Sequence, residues 1–174
     1  WILRFDDDEL PSSKLVEWVR SSLPNLSSTI VGFSRLWVYH QPDSKLWATT
    51  DMSIPYGKWG RDTQYRLFRR NEVELTDVIH TPGFAVKDEV VAPRDAVMYH
   101  FDWVVRSREQ RARKLERYNL QFPDAGNSQR IAYLPEESAP ELYDFAPLQD
   151  PTIAKVAGVL KERSLSFYNM KSII

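Results

Sequence analysis

Apolar and polar residues follow different periods in successive segments of the chain, and these periods predict a mixture of strands and helices. A short apolar run over residues 1–5 ends in four consecutive acidic residues, which predicts a buried strand leading into an acidic turn. Residues 30–39 alternate between apolar and polar side chains and predict a strand, followed after a polar turn by another strand over residues 45–50. Shorter patterns predict strands within residues 61–70 and 96–101.

Other segments have helical periods. Proline and serine at positions 11–13 predict a helix start, Pro24 predicts its end, and the apolar face of this helix carries Leu15, Trp18 and Val19. A long basic helix is predicted over residues 103–119, with candidate buried positions at Val104, Ala112, Leu115 and Tyr118. Residues 121–150 predict little regular structure. A last helix is predicted over residues 151–163, with an apolar face formed by Ile153, Val156, Ala157 and Leu160.

The composition is that of a globular protein, because 43% of the 174 residues are hydrophobic and 13% are aromatic. The 23 basic and 24 acidic residues nearly balance, which argues against a general electrostatic grip on nucleic acid. Cysteine is absent, so disulfides and thiolate metal sites are excluded. No apolar run approaches the ~18 residues of a membrane-spanning helix.

The run Asp6-Asp7-Asp8-Glu9 carries the clearest chemical signal. Adjacent carboxylates repel one another, so they are tolerated where water or a bound cation neutralises them. The carboxyl end of a strand is also the edge at which open α/β sheets bind ligands. Oxygen ligands on a short turn suit Mg²⁺ or Mn²⁺ carrying a substrate diphosphate. The alternative is a solvated acidic turn before a helix, since acidic residues favour helix N-termini.

Segments in a fixed order resemble the family 2 glycosyltransferases of the GT-A fold. Residues 1–10, WILRFDDDEL, resemble the family's strand and aspartate motif, and residues 62–70, DTQYRLFRR, resemble its Asp-x-Gln-x-Arg-Leu-Phe-Arg-Arg segment. The predicted strand end at residues 78–80 lies where many members have Val-His-Glu, and residues 98–118 resemble the segment that closes the catalytic domain. The resemblance covers residues 1–119 and is closest to members that decorate lipopolysaccharide cores and other bacterial surface glycans.

The chain also departs from the family pattern. Thr81 stands where the glutamate of the Val-His-Glu triplet is found, and Asp7 replaces a small residue in the aspartate motif. The family's N-terminal half, which binds the nucleotide, is missing, and the chain starts within a predicted core strand. We therefore expect residues 1–119 to be the C-terminal part of an α/β catalytic domain, with a GT-A-like mixed sheet and flanking helices. Residues 120–174 are expected to form an extension with a terminal helix.

The resemblance implies a set of residues for the donor side of the site. It assigns Asp8 and Asp6 to the diphosphate and to Mn²⁺ or Mg²⁺, with Asp8 as the direct ligand and Asp6 contacting ribose or a metal-bound water. His100 is a candidate third metal ligand, and its alternative is a half-buried histidine at a strand end. Arg66 is a candidate for binding the diphosphate, and its alternative is a solvated strand face.

The acceptor side needs a base that takes a proton from the acceptor hydroxyl. Asp62 is the first candidate, with a capping aspartate as its alternative; Asp77 and Asp102 are weaker candidates. Aromatic faces can stack on a sugar, and packing in the core is the alternative. Because Trp37 lies within a strand pattern, we expect it to belong to the core. The remaining candidates for substrate binding are Trp59, Glu9 and His80.

The function implied is a metal-assisted, inverting glycosyltransferase of the hexosyltransferase-like class. It would move a sugar from a nucleotide-diphosphate donor to a saccharide or lipid-linked acceptor. A cytoplasmic location is expected, and the basic helix is compatible with peripheral contact at the inner face of the membrane or with a salt-bridged surface. A non-catalytic glycan-binding or assembly module with a degenerate site is the alternative. A metal-dependent phosphotransferase or nucleotidyltransferase would need a Gly-rich phosphate loop, which the six glycines do not form.

Overall fold

The structure is a computed structural model, and it describes residues 1–40, 45–52, 61–74, 85, 87–121, 130, 132–134, 143–156 and 158–159. The strands are β1 (Ile2–Leu3), β2 (Glu9–Pro11), β3 (Ile30–His40), β4 (Leu46–Met52), β5 (Thr63–Phe68), β6 (Glu89–Val91), β7 (Val97–His100) and β8 (Tyr143–Pro147). The helices are α1 (Ser13–Ser22), α2 (Asp102–Val105) and α3 (Arg108–Gln121), and Leu23–Asn25 forms a 3-10 turn. Residues 151–156 and 158–159 are also helical.

Contacts divide the chain into two compact units. The first consists of residues 1–36 and 52–99, and the second of residues 37–51 and 100–174. The first unit contains a mixed sheet, because β5 pairs antiparallel with β1 and β3 whereas β6 pairs parallel with β3. β7 pairs with β2 and with β3. Strands and helices together confirm the predicted mixed α/β class.

The core of the first unit lies between α1 and this sheet. Leu15 of α1 is fully buried together with Val31 and Phe33 of β3, and Trp18 packs edge-on against Phe33 at a centroid distance of 5.9 Å. Ser12 caps the helix, because its hydroxyl oxygen accepts a hydrogen bond from the backbone N–H of Leu15 at 3.0 Å. The predicted apolar face of this helix is therefore confirmed.

The second unit has an aromatic core beside an antiparallel pair of strands. The C-terminal part of β3 pairs with β4, with Val38 opposite Ala48, and β8 is the next strand beyond β4. Trp37 is 1% exposed and lies 4.9 Å from the ring of Trp103, measured between centroids. The predicted core position of Trp37 is confirmed, and Leu115 of α3 is buried as predicted.

The prediction for the N-terminal strand was wrong in burial and length. β1 has two residues, Ile2 and Leu3, which are 38% and 36% exposed, and it pairs antiparallel with β5. Phe5, beyond the strand, is the residue of this run that packs against the core of the first unit. Pro11 ends β2 rather than lying in the first turn of α1. Apolar composition alone therefore predicted a strand that is longer and more buried than β1.

The long basic helix is in fact two helices. Arg106 is extended, with φ −113° and ψ 136°, so α2 ends there. Ser107 then starts α3 with a capping box, because its backbone N–H donates to Gln110 Oε1 at 2.9 Å and its hydroxyl accepts from the N–H of Gln110 at 3.4 Å. The Ser-x-x-Gln sequence is a signal for a helix start. Because the apolar period continues across it, a single helix was predicted.

Two further predictions in the C-terminal region were wrong. Residues 143–147 form β8, in a stretch where little regular structure was predicted. Val156 is 39% exposed rather than buried, whereas Ile153 in the same helical segment is buried as predicted. Ala157 and Leu160 lie outside the described residues.

Gly32 marks a close approach between β3 and β5. The strand pairing shifts register between Val31 and Gly32, and a Cβ added at Gly32 would lie 2.6 Å from Cγ2 of Thr63 and 3.2 Å from the ring of Tyr65. We expect Gly32→Ala to lower the free energy of unfolding by about 1–3 kcal/mol, because an added methyl group overpacks this contact. Urea denaturation would measure the change.

Two variants make this prediction specific. Gly158→Ala adds a methyl group to a helical position with nothing within 4 Å, so it should leave stability unchanged or raise it by up to about 1 kcal/mol. Adding Thr63→Ser to Gly32→Ala removes the clashing Cγ2 atom and should recover part of the loss. A Gly32→Ala variant as stable as the wild-type chain would contradict the close packing.

Candidate functional site

The acidic turn between β1 and β2 is closed by its own polar groups. The backbone N–H of Glu9 donates to the carbonyl of Asp6 at 3.1 Å, and the backbone N–H of Asp6 donates to Glu9 Oε2, also at 3.1 Å. The side chains then differ in exposure: Asp7 is exposed and the side chain of Asp6 is 52% exposed. Asp8 is only 6% exposed and the side chain of Glu9 is fully buried. The turn therefore presents two carboxylates to solvent and buries two.

Arg66 of β5 holds this turn from the neighbouring strand. Its Nη2 atom donates to Asp6 Oδ2 at 2.5 Å and to Glu9 Oε1 at 2.7 Å, and its side chain is 5% exposed. The antiparallel pairing of β1 with β5 brings it there, because the carbonyl of Arg66 accepts a hydrogen bond from the N–H of Arg4 at 2.8 Å. Arg66 thus binds the acidic turn, and its contact with a diphosphate stays a prediction.

Asp62 is held in the same unit by two side chains. Arg35 Nε donates to Asp62 Oδ2 at 2.7 Å, and Gln64 Nε2 donates to Asp62 Oδ1, also at 2.7 Å. Asp62 is 3% exposed. These contacts fix the orientation of the carboxylate that sequence predicts as the base. Both bonds come from side chains rather than from the backbone of a following turn, which the alternative for this residue would have it cap.

The second unit contains a buried pair of metal-ligand side chains, His100 and Asp102. His100 is 4% exposed and packs edge-on against Trp37, with centroids 4.2 Å apart. Asp102 is fully buried, and one of its carboxylate oxygens lies within 4.8 Å of an imidazole nitrogen of His100. Imidazole nitrogen and carboxylate oxygen together are a donor set that Mn²⁺ accepts.

Asp102 is neutralised on one side only. Its Oδ1 atom accepts hydrogen bonds from Arg106 at 2.5 Å and from Lys114 at 2.8 Å. Its Oδ2 atom is buried and has no hydrogen-bond partner within the described part of the chain. A buried carboxylate oxygen without a partner is costly, so it indicates a position that a cation could occupy. The residues present therefore fit a divalent cation.

Arg106 and basic side chains of α3 bind groups within the protein. Arg106 and Lys114 point to Asp102, and the buried Arg111 donates to the carbonyl of Tyr133 at 3.0 Å. Lys114 also lies 4.7 Å from the centre of the Tyr133 ring. The basic residues of α3 that are exposed are Arg108, Arg113 and Arg117. Membrane contact by this helix stays a prediction that rests on fewer charges.

Several predicted residues lie outside the described residues, namely Trp59, His80, Asp77 and Thr81. The structure brings Asp6, Glu9 and Arg66 together, and it places Asp62 against Arg35. Glu9 has both oxygens engaged, which suits orientation of the turn, and its contact with a substrate stays a prediction. Sequence reasoning missed Arg35 and Lys114, although a charged residue within the apolar β3 pattern was a signal.

No protein-family model, curated protein or solved structure matches the chain. Among the described helices, none is both long and apolar enough to cross a membrane.

Proposed function

We propose that the chain is part of a divalent-cation-dependent glycosyltransferase with a GT-A-like fold, which moves a sugar from a nucleotide-diphosphate donor to a hydroxyl acceptor. The ordered sequence motifs support the reaction class. The observation that carries the metal dependence is the buried His100–Asp102 pair, in which one carboxylate oxygen has no hydrogen-bond partner among the described residues. The acceptor is proposed to be a surface glycan or a lipid-linked saccharide.

The charge of the acidic turn supports the same proposal. The turn and Asp62 carry five carboxylates, from Asp6 to Glu9 together with Asp62, and the guanidinium groups of Arg66 and Arg35 pair with Asp6, Glu9 and Asp62. Carboxylate oxygens that are clustered at a partly buried turn favour binding of a cation. Arg66 keeps the turn closed while leaving half of the Asp6 side chain exposed.

Each residue has a defined part in this proposal. A bound Mn²⁺ or Mg²⁺ would neutralise the charge that develops on the leaving nucleotide diphosphate. Asp8, Asp6 and His100 are the ligands predicted from the sequence. Within the second unit, Asp102 joins His100 as a candidate ligand because of its unpartnered oxygen. Asp62 takes the proton from the acceptor hydroxyl. Trp59, Glu9 and His80 are proposed to contact or orient the substrates.

Metal binding is the first test. We expect Asp8→Asn and His100→Gln each to weaken Mn²⁺ binding by at least about tenfold, because each removes one donor atom from the ion. Electron paramagnetic resonance of free Mn²⁺ would measure the affinity. Asp95→Asn is the matched control, since Asp95 is an exposed carboxylate paired with Lys14 at 2.9 Å and should leave Mn²⁺ affinity unchanged. Equal affinity in all four proteins would contradict the assigned ligands.

Turnover by the intact protein is the second test, with a panel of nucleotide sugars and slow release of free sugar as the readout. Release that requires both Mn²⁺ and Asp8 supports the transferase and identifies the donor. A folded protein that binds glycans but neither binds nor hydrolyses any donor, with Mn²⁺ or Mg²⁺, favours the glycan-binding module instead. Turnover of nucleoside triphosphates rather than nucleotide sugars would indicate a phosphotransferase.

A further inference from the structure

Arg35 connects two parts of the first unit that are far apart in sequence. It lies in β3, its side chain is 18% exposed, and its Nε atom donates to Asp62 Oδ2 at 2.7 Å. Its Nη1 atom lies 3.6 Å from Glu9 Oε1, an ion pair with the acidic turn. One guanidinium group therefore contacts the predicted base and the predicted metal-binding turn.

The backbone fixes this arrangement. Ser34 of β3 pairs with Thr63 of β5, and the backbone N–H of Arg35 donates to the carbonyl of Asp62 at 2.7 Å. The residues at positions 35 and 62 are thus held by main-chain and side-chain bonds at once. Because a guanidinium group is planar and carries its donors in a rigid fork, it can serve two carboxylates in fixed directions.

Glu9 extends the connection to Arg66. Its Oε1 atom accepts from Arg66 at 2.7 Å while it pairs with Arg35, and Arg66 also donates to Asp6. The charged groups therefore alternate in sign along one continuous series: Asp6, Arg66, Glu9, Arg35 and Asp62. Within this series both carboxylates that pair with Arg66 belong to the acidic turn. Arg35 pairs with one carboxylate of the turn and with Asp62.

We propose that Arg35 is a positioning residue that holds the Asp62 carboxylate at a fixed place relative to the acidic turn. This inference rests on the proposed function, in which Asp62 takes the acceptor proton and the turn binds the donor with its metal. Displacement of a reacting group by about 1 Å can cost about a hundredfold in rate. Because Arg66 still holds the turn when Arg35 is removed, donor binding should survive while the chemical step slows.

The experiment compares Arg35→Met and Arg35→Lys with the wild type in the intact protein, measuring kcat and KM for the donor identified by the panel. We expect Arg35→Met to lower kcat by about a hundredfold and to change KM by less than about threefold. Arg35→Lys keeps one charge but loses the fork, so its kcat should lie between the two. Arg20→Met, at an exposed position of α1, is the matched control and should leave both constants unchanged.

A second measurement separates failure of this inference from failure of the proposed function. Glu9→Gln and Asp62→Asn, singly and together, should shift the urea midpoint non-additively when Arg35 is present and additively in the Arg35→Met background. A wild-type chain that turns over donor, with Arg35→Met unchanged in kcat, overturns the positioning role alone. Additive shifts in both backgrounds overturn the connection itself. Absence of turnover by the intact wild-type protein overturns the proposed function, and the positioning role with it.

Discussion

Replacing Arg66 with methionine is expected to lower the free energy of unfolding by about 3–5 kcal/mol, because it leaves a buried carboxylate without its main partner. The side chain of Glu9 is fully buried, and Arg66 Nη2 is its nearer guanidinium donor at 2.7 Å, against 3.6 Å for Arg35. Methionine fills a similar volume, so the loss arises from the charge of Glu9 rather than from a cavity. Urea denaturation followed by circular dichroism would measure it.

The control is an ion pair that is exposed to solvent. Lys14 and Asp95 are 66% and 62% exposed, and the hydrogen bond from Lys14 lowers the pKa of Asp95 below its ordinary value. Lys14→Met should leave the urea midpoint nearly unchanged, since water screens exposed pairs. The double variant Arg66→Met with Glu9→Met removes both charges and should recover most of the loss. An Arg66→Met variant as stable as the wild-type chain would show that the pair does not hold the turn.

The acidic turn shows which parts of the site were accessible from sequence. Its carboxylates are consecutive, so the turn could be predicted from local residues alone. The partners that hold it are distant: Arg66 is 60 residues from Asp6 and 57 from Glu9, and Arg35 is 27 from Asp62. Their proximity depends on the pairing of β5 with β1 and β3. A single sequence does not fix that pairing, so Arg66 was expected to bind substrate.

Whether an element of the fold could be predicted from the sequence depended on its length. β3 and α1 are long enough for their apolar period to show, and both were predicted within a few residues. β2 and β6 have three residues each, too few for a period of two to be recognised. Asp102 had a local signal in the sequence, because it lies between the aromatic residues Phe101 and Trp103. Both of these residues are buried.

Removing the Asp102 carboxylate is expected to have an effect on stability as large as that of Arg66→Met. Asp102 is fully buried, and its Oδ1 atom serves two cations, Arg106 and Lys114, whose side chains are 27% and 15% exposed. Asp102→Ala removes the buried carboxylate that pairs with both, so we expect a loss of about 3–5 kcal/mol in unfolding free energy. Asp102→Asn keeps the volume and one acceptor oxygen, so its loss should be smaller.

The asparagine variant separates metal binding from stability. If Asp102 Oδ2 binds the cation, Asp102→Asn weakens Mn²⁺ binding by at least about tenfold in a protein that remains folded. Asp144→Asn is the matched control, since Asp144 is an exposed acid of the same unit. Adding Lys114→Met to Asp102→Asn removes one of the two cations left by the first change, so it should restore part of the stability without restoring Mn²⁺ affinity. Unchanged affinity in Asp102→Asn would reduce Asp102 to the neutralising partner of Arg106 and Lys114.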